Sequence, residues 1–124
     1  RLLEIRGLNP VLAEQFIDIL KRKDRDALAA FLAGAFQIQR ADGTSADRAE
    51  YLTADINISS SELGPEVEGI QEGNTLTVRW SVKLVETVNG KPTSEVFAPR
   101  LSTFIWEGGT WALLAHANFN PPVG

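Results

Sequence analysis

Between Thr75 and Val88 the chain alternates without a break. Leu76, Val78, Trp80, Val82 and Leu84 fall on one parity, and Thr75, Thr77, Arg79, Ser81 and Lys83 on the other. A period of two is the repeat of a β-strand, whose successive side chains point to opposite faces. The run therefore predicts one long strand with an apolar face and a face that meets solvent or a partner. Asn89-Gly90 follows as a two-residue hairpin signal. The next run places Phe97, Leu101, Thr103 and Ile105 on one parity and Arg100, Ser102, Phe104 and Trp106 on the other. Gly108-Gly109 permits a second reversal, after which Trp111, Leu113, Ala115, Ala117 and Phe119 alternate with Leu114, His116, Asn118 and Asn120. Ile56 and Ile58 begin an earlier alternating segment that breaks at Gly64-Pro65 and resumes with Val67 and Ile70. A proline there marks a bulge or bend, not a central strand.

The first third of the chain has a different period. Asn9-Pro10 reads as an N-cap followed by proline at the first helical position, and Leu12, Phe16, Ile19 and Leu20 then recur at helix spacing. Lys21, Arg22 and Lys23 lie where the carboxyl end of that helix favours positive charge. Asp24 caps a second short helix with Leu28, Phe31 and Leu32 as its buried stripe and Gly34 as its terminator. A short strand over 36–39 and a turn at Ala41-Asp42-Gly43-Thr44 lead into a third helix, capped by Thr44 or Ser45 and running through Ala54, with Tyr51 and Leu52 inward. Three helices followed by a curved antiparallel sheet make an α+β cone with the helices on the concave face. Residues 1–8 and 121–124 read as terminal extensions of one domain.

Composition narrows the chemistry. The chain has 124 residues, no cysteine and one histidine. Thiolate nucleophiles, iron–sulfur centres, cysteine-ligated zinc and multi-histidine metal sites are thereby excluded, and no metal or cofactor is expected. Twelve basic and sixteen acidic residues, net charge -4, form no long run of either sign, which argues against an extended nucleic-acid surface. Arg79 and Lys83 read as surface charges. No apolar segment approaches the roughly 20 residues that cross a bilayer. A soluble chain is expected, cytoplasmic or exported after loss of an upstream signal.

The ordered sequence resembles the NTF2-like/SnoaL-like superfamily, specifically its small cystatin-like DUF4440-type members. The resemblance covers most of residues 9–120 and rests on FLAGAFQIQRADG over 31–43, the short helix after it, and WALLAHANFNPP over 111–122. It implies a cone of curved sheet and helices, often dimeric, with a pocket between them. Such folds host isomerases, dehydratases, cyclases, hydrolases and noncatalytic assembly domains, so the fold does not choose a role.

Phe16, Leu20, Phe31, Phe36, Tyr51, Trp80, Leu101 and Trp111 are the candidate walls of a pocket for a small apolar or aromatic molecule, with the Tyr51 hydroxyl, Thr103 or Asn118 orienting it. A packed core would use the same large side chains. For a cofactor-independent proton-transfer isomerase or lyase, His116 would move the proton and Arg100 would hold an anion or enolate. Glu86 and Glu95 are the acidic interruptions of the apolar parity and candidate bases, with Glu14 and Asp18 on the first helix weaker ones. The third reading is a noncatalytic homodimeric assembly domain, joined through an outer sheet face on which Phe104 and Trp106 stand among polar residues.

Overall fold

A computed structural model describes residues 5–121, with side chains from residue 10 onward. The expectations for residues 1–4 and 122–124 lie outside the described residues. The elements run α1 (Ile5–Arg22), α2 (Arg25–Phe31), β1 (Leu32–Arg40), β2 (Ser45–Asp47), α3 (Arg48–Thr53), β3 (Ile56–Leu63), β4 (Glu68–Glu72), β5 (Thr75–Val88), β6 (Lys91–Pro92), β7 (Ala98–Glu107) and β8 (Thr110–Asn118). The sheet has eight strands in the order β2-β1-β8-β7-β5-β3, with β4 and β6 also paired to β5. β1 and β8 are parallel and the other pairs antiparallel.

The long alternating run forms the central strand. At about 3.4 Å per residue, a flat strand of this length would measure roughly 45 Å, beyond the roughly 35 Å across a compact chain of this size. β5 therefore bends, and register irregularities in its neighbours accommodate the curve: one on β3 between Ile58 and Ser60, one between β7 and β8. Its inner face buries Leu76, Val78, Trp80, Val82, Leu84 and Glu86 in strict alternation. Each aliphatic member contributes about 1.5–3 kcal/mol by leaving water. Asn89 and Gly90 both take positive φ, 51° and 83°, as the tight hairpin requires. At the break after β3, a Cβ on Gly64 would collide with Ser81, and the Gly64 N–H instead donates to the Ser81 carbonyl.

The helices pack as an amphipathic layer on the concave face. Leu12, Phe16, Ile19 and Leu20 are buried as their spacing predicts. α1 begins upstream of the expected cap and carries Pro10 as its sixth residue, where a proline both lacks the N–H for an intrahelical bond and crowds the carbonyl four residues back. Asp24 caps α2 by accepting from the Ala27 N–H, worth about 1 kcal/mol. That helix ends at Phe31, and Leu32 and Gly34 belong to β1 instead. The third helix is shorter than expected because 45–47 pair with β1, and Asp47 rather than Thr44 or Ser45 forms its cap, in a reciprocal capping box with Glu50. Ile70 is exposed, on the short outer strand β4.

The parity of the last two strands differs from the expected one. On β7 the buried positions are Ala98, Arg100, Ser102 and Phe104, while Leu101 is 41% exposed. The inner face of this strand is thus the one with more polar atoms, because Phe104 packs against Phe31 and the sheet is continuous through Trp80↔Arg100 and Val78↔Ser102. On β8, Trp111 and Leu113 point inward, but Thr103 pairs with Ala115 and Phe104 with Leu113, leaving Leu114 as an extra residue. This bulge reverses the alternation, so His116 is buried and Ala115 is exposed.

Deleting Leu114 would remove the unpaired residue and leave Thr103 opposite Ala115 and Ser102 opposite His116 in simple alternation, with His116 and Asn118 still inward. The deletion variant is expected to keep cooperative thermal unfolding monitored by near-ultraviolet circular dichroism; loss of cooperativity would show that the bulge itself is needed. Leu114→Ala, which keeps the residue count, is expected to cost only about 1 kcal/mol.

Candidate functional site

The bulge and the sheet register bring two rows of side chains together inside the cone. One row runs Val78, Ser102, His116, Ile38 across β5, β7, β8 and β1; the next runs Trp80, Arg100, Asn118, Arg40. With α1 and α3 above them, Phe16, Ile17, Leu20 and Tyr51 complete a cavity of about 30 Å³, whose far wall includes Glu86 and Val88. That is room for about two waters. Five of the expected pocket residues line it, Phe16, Leu20, Tyr51, Trp80 and Asn118, together with three of the expected catalytic candidates, Glu86, Arg100 and His116.

The other candidates lie elsewhere. Phe31 and Phe36 are core side chains behind the cavity wall, Phe31 stacked on Phe16 at 5.8 Å and Phe36 against Tyr51 at 5.2 Å. Trp111 is buried at the opposite end of β8, edge-on to Trp106. Leu101 and Thr103 line a groove on the outer sheet face, contrary to the expectation, because the inner parity of β7 belongs to Arg100 and Ser102. Glu95 is exposed in the loop before β7, where strand parity has no meaning. Glu14 and Asp18 are exposed on α1, and Asp18 is taken up by Arg22 at 2.9 Å. Arg40 is the charged cavity residue that the sequence left unassigned; its signal was its shared parity with Phe36 and Ile38.

Hydrogen bonds determine what each polar group offers. The Trp80 indole donates to Ser102 Oγ at 3.0 Å, and Ser102 Oγ lies 2.8 Å from His116 Nδ1. Ser102 is buried, and its hydroxyl has no other acceptor among the described residues, so its proton goes to Nδ1. His116 is then the Nε2–H tautomer. It is a donor on the edge away from Ser102. Burial, with Arg100 and Arg40 adding to the effect, pushes its pKa down to about 3. Asn118 is oriented as firmly: its Oδ1 accepts the Asn120 N–H at 2.8 Å, which leaves the Nδ2 hydrogens as donors. Arg100 is 3% exposed and uses Nη1 on the Ala98 carbonyl at 3.0 Å and more weakly on that of Pro99. No carboxylate lies within ion-pair distance of it among the described residues. Burial lowers its pKa to about 10, against the pull of Glu86 and Tyr51, so it remains a cation at neutral pH.

Among the described residues, Glu86 is the one carboxylate lining the cavity. Its Oε2 accepts from the Thr93 hydroxyl at 3.2 Å. Burial raises its pKa above the ordinary carboxylate value, opposed by Arg100, Thr93 and Arg40. Burial also raises the Tyr51 phenol well above its usual value, with Glu86 adding to it, so Tyr51 stays protonated. The expected arrangement was His116 as base and Arg100 as anion holder. Arg100 lines the cavity as a cation, whereas a histidine this hard to protonate offers an N–H and not a base; Glu86 is the carboxylate on the cavity wall. Among the described residues no group of three His, Asp or Glu side chains gathers to hold a metal, and no helix is long and apolar enough to cross a membrane.

The lowered His116 pKa makes stability depend on pH. Below about 6.5 the unfolded chain takes up a proton that the folded chain refuses until about pH 3, so stability falls as pH falls through that interval. The contribution has a maximal slope of about 1.4 kcal/mol per pH unit. Denaturant unfolding of His116→Asn, whose Oδ1 can still take the Ser102 proton, is expected to lose that component between pH 6.5 and 4. Nitrogen NMR of the wild type should show a neutral Nε2–H imidazole throughout the interval.

No protein-family model matches the sequence, and no curated protein matches it. Solved structures do match the fold. An NTF2-like protein from Cytophaga hutchinsonii superposes with a TM-score of 0.83 at 10% identity, covering 98% of this chain and 100% of that one. A proposed calcium/calmodulin-dependent kinase II association domain from Exiguobacterium sibiricum gives 0.76 at 15% identity, covering 100% and 99%. An NTF2-like protein from Rhodospirillum rubrum, described as of unknown function in nutrient uptake, gives 0.74 at 13% identity, covering 93% and 98%. At these identities the likeness concerns architecture alone, and on that evidence the chain has the NTF2-like fold.

Proposed function

We propose that this cone binds a small molecule with an apolar or aromatic body and a polar head. The observation that carries the reading is the row Trp80, Arg100, Asn118, Arg40 around a cavity in an otherwise apolar interior. Burying a guanidinium costs several kcal/mol even after relaxation, and a structural one normally recovers the cost in an ion pair. Arg100 has hydrogen bonds to two carbonyls and no ion-pair partner among the described residues. Unfavourable polar groups gathered in a cavity are a signature of a site. Binding is favoured over proton transfer because the groups aimed inward are predominantly donors. An isomerase or lyase would have to work through Glu86.

A screen of small neutral and anionic fragments by protein-observed NMR tests the binding reading. A bound fragment is expected to shift the Trp80 indole and His116 ring signals while leaving the distant Trp111 indole in place. A screen in which nothing moves Trp80 or His116 would sink it.

The outer sheet face supports a second reading, self-association. Leu101, Phe97 and Phe119 are each more than 40% exposed there or at its rim, beside the small side chains Ala115 and Ala117. These replace the expected Phe104 and Trp106, of which Phe104 is buried inside the cone and Trp106 half-buried against Trp111. A curved face of small and aliphatic residues can seat a second copy closely. Sedimentation equilibrium is expected to give twice the 13.6 kDa chain mass, and Leu101→Glu to return it to one. A wild-type monomer up to high micromolar concentration would exclude this interface.

A further inference from the structure

We infer that the cavity is a carboxylate site, holding the head of a small monocarboxylate over Asn118 between Arg100 and Arg40, with the molecule's short apolar body against Leu20, Tyr51 and Ile56. The inference rests on the binding reading above and names its ligand class.

Three independent features lead there. The first is hydrogen-bond polarity. Asn118 offers only its Nδ2 hydrogens because Oδ1 is held by Asn120. His116 offers Nε2–H because Nδ1 is held by Ser102, and Arg100 keeps Nε–H and Nη2 without a partner among the described residues. A surface of N–H groups calls for a ligand that only accepts, as an ionised carboxylate does. The second is charge. Two guanidinium groups line the cavity against one carboxylate, Glu86, which is engaged with Thr93. Among the lining groups the excess is one positive charge, although Arg40 also extends Nη1 to Thr44 Oγ1 at 3.5 Å and acts on Asp42 outside the cavity. Arg40 and Arg100 flank Asn118 on strands β1 and β7, with β8 between them, so their backbones stand about 10 Å apart and their long side chains can close on the same group.

The third is shape. The polar cavity has room for about two waters, which suits a carboxylate and not a ring. A second cavity of about 40 Å³ adjoins it under the turn between α1 and α2 and shares Leu20, Tyr51 and Ile56 as walls. Its remaining lining is Ile19, Leu28, Leu52 and Ala54, together with Lys23, Asp24 and Arg25 at the turn, of which Lys23 and Arg25 are exposed. Small movements of Leu20 and Ile56 would join the two spaces into a slot that is polar at its inner end, apolar past Leu20, Tyr51 and Ile56, and bordered by charged side chains at the turn. A molecule such as an aryl or short alkyl carboxylate has that division.

Calorimetric titration with 3-phenylpropionate, 3-phenylpropanamide and acetate tests the assignment. The acid is expected to bind at least tenfold more tightly than the amide, which shares its body, and than acetate, which shares only its head. Asn118→Asp keeps the oxygen that holds Asn120 and replaces the Nδ2 donor with a negative charge; it should weaken the acid at least tenfold. Arg40→Gln, at a half-buried position, should do the same, and neither change should move the amide more than twofold. Equal affinity for acid and amide, or parallel losses for both in the variants, would overturn the carboxylate assignment and leave a cone that binds small molecules. Equal affinity for acetate and the longer acid would remove the apolar slot from it. If neither acid nor amide binds and the fragment screen also leaves Trp80 and His116 unmoved, the carboxylate assignment falls together with the binding reading.

Discussion

The extra residue at Leu114 decides what the interior of this cone is made of. Up to Leu113, β8 contributes hydrocarbon to the core; beyond the bulge, the same inward parity is read by His116 and Asn118 instead of by Ala115 and Ala117. A one-residue change of register exchanges every side chain on the two faces of a strand, so a single unpaired position divides the molecule. On one side of it the cone is filled, with Trp111, Leu113 and Phe104 among the buried residues. On the other, two polar rows face a cavity. The outer face changes with it, because the alanines displaced from the interior now form a smooth surface beside Leu101.

Such an interior has to be reconciled with stability. His116 avoids the cost of a buried charge by staying neutral, and the Trp80–Ser102–His116 chain gives each buried member a partner while leaving the His116 Nε2–H free among the described residues. Arg100 cannot take that course, because even the lowered pKa of about 10 leaves it charged at neutral pH. Its field is met by Glu86 across the cavity rather than in contact, and Glu86 is itself drawn toward Thr93. Two opposite charges kept apart in a low-dielectric space attract less than a contact pair and leave hydrogen-bonding capacity on both.

Much of the architecture was legible because its signals are local. The β5 alternation, the Asn89-Gly90 and Gly108-Gly109 reversals, the Asp24 cap and the amphipathic spacing of α1 each depend on residues close in sequence, and each appears in the fold. Glu86, Arg100, His116 and Asn118 were recognisable as chemistry-bearing positions for a similar reason: they interrupt patterns. Which of them meet was not legible. The parity of β7 could not be assigned from its own composition, since Leu101, Thr103 and Ile105 look more apolar than Arg100, Ser102 and Phe104. Only pairing with Trp80 and Val78 on one side and His116 on the other sets the inner face. A bulge is equally invisible to periodicity, since Leu114 is an ordinary strand residue whose special role comes from the partner strand. Arg40 escaped notice because its contribution requires β1 to lie parallel to β8, a contact between residues far apart in the chain.

The division of labour between layers follows from these geometries. Helices α1 and α3 supply Phe16, Ile17, Leu20 and Tyr51, an apolar roof with one hydroxyl, while the sheet floor supplies the charged groups and, apart from that hydroxyl, the directed donors. The donors on the floor are tied down by the strands: Ser102 on β7 orients His116 on β8, and the Ala98 and Pro99 carbonyls of its own strand anchor Arg100. Groups fixed in this way lose little freedom when they meet a ligand, which reduces the ordering cost of binding. The roof has no such hydrogen-bonded anchorage, and its contacts are ring stacking and aliphatic packing that adjust by small shifts. Under the proposed binding reading, polar specificity is therefore a property of the sheet, and the length and thickness of what the cone accommodates are a property of the helices. Exchanging Leu20 on α1 for a smaller side chain should then change the size of molecule admitted without changing the kind of head group recognised.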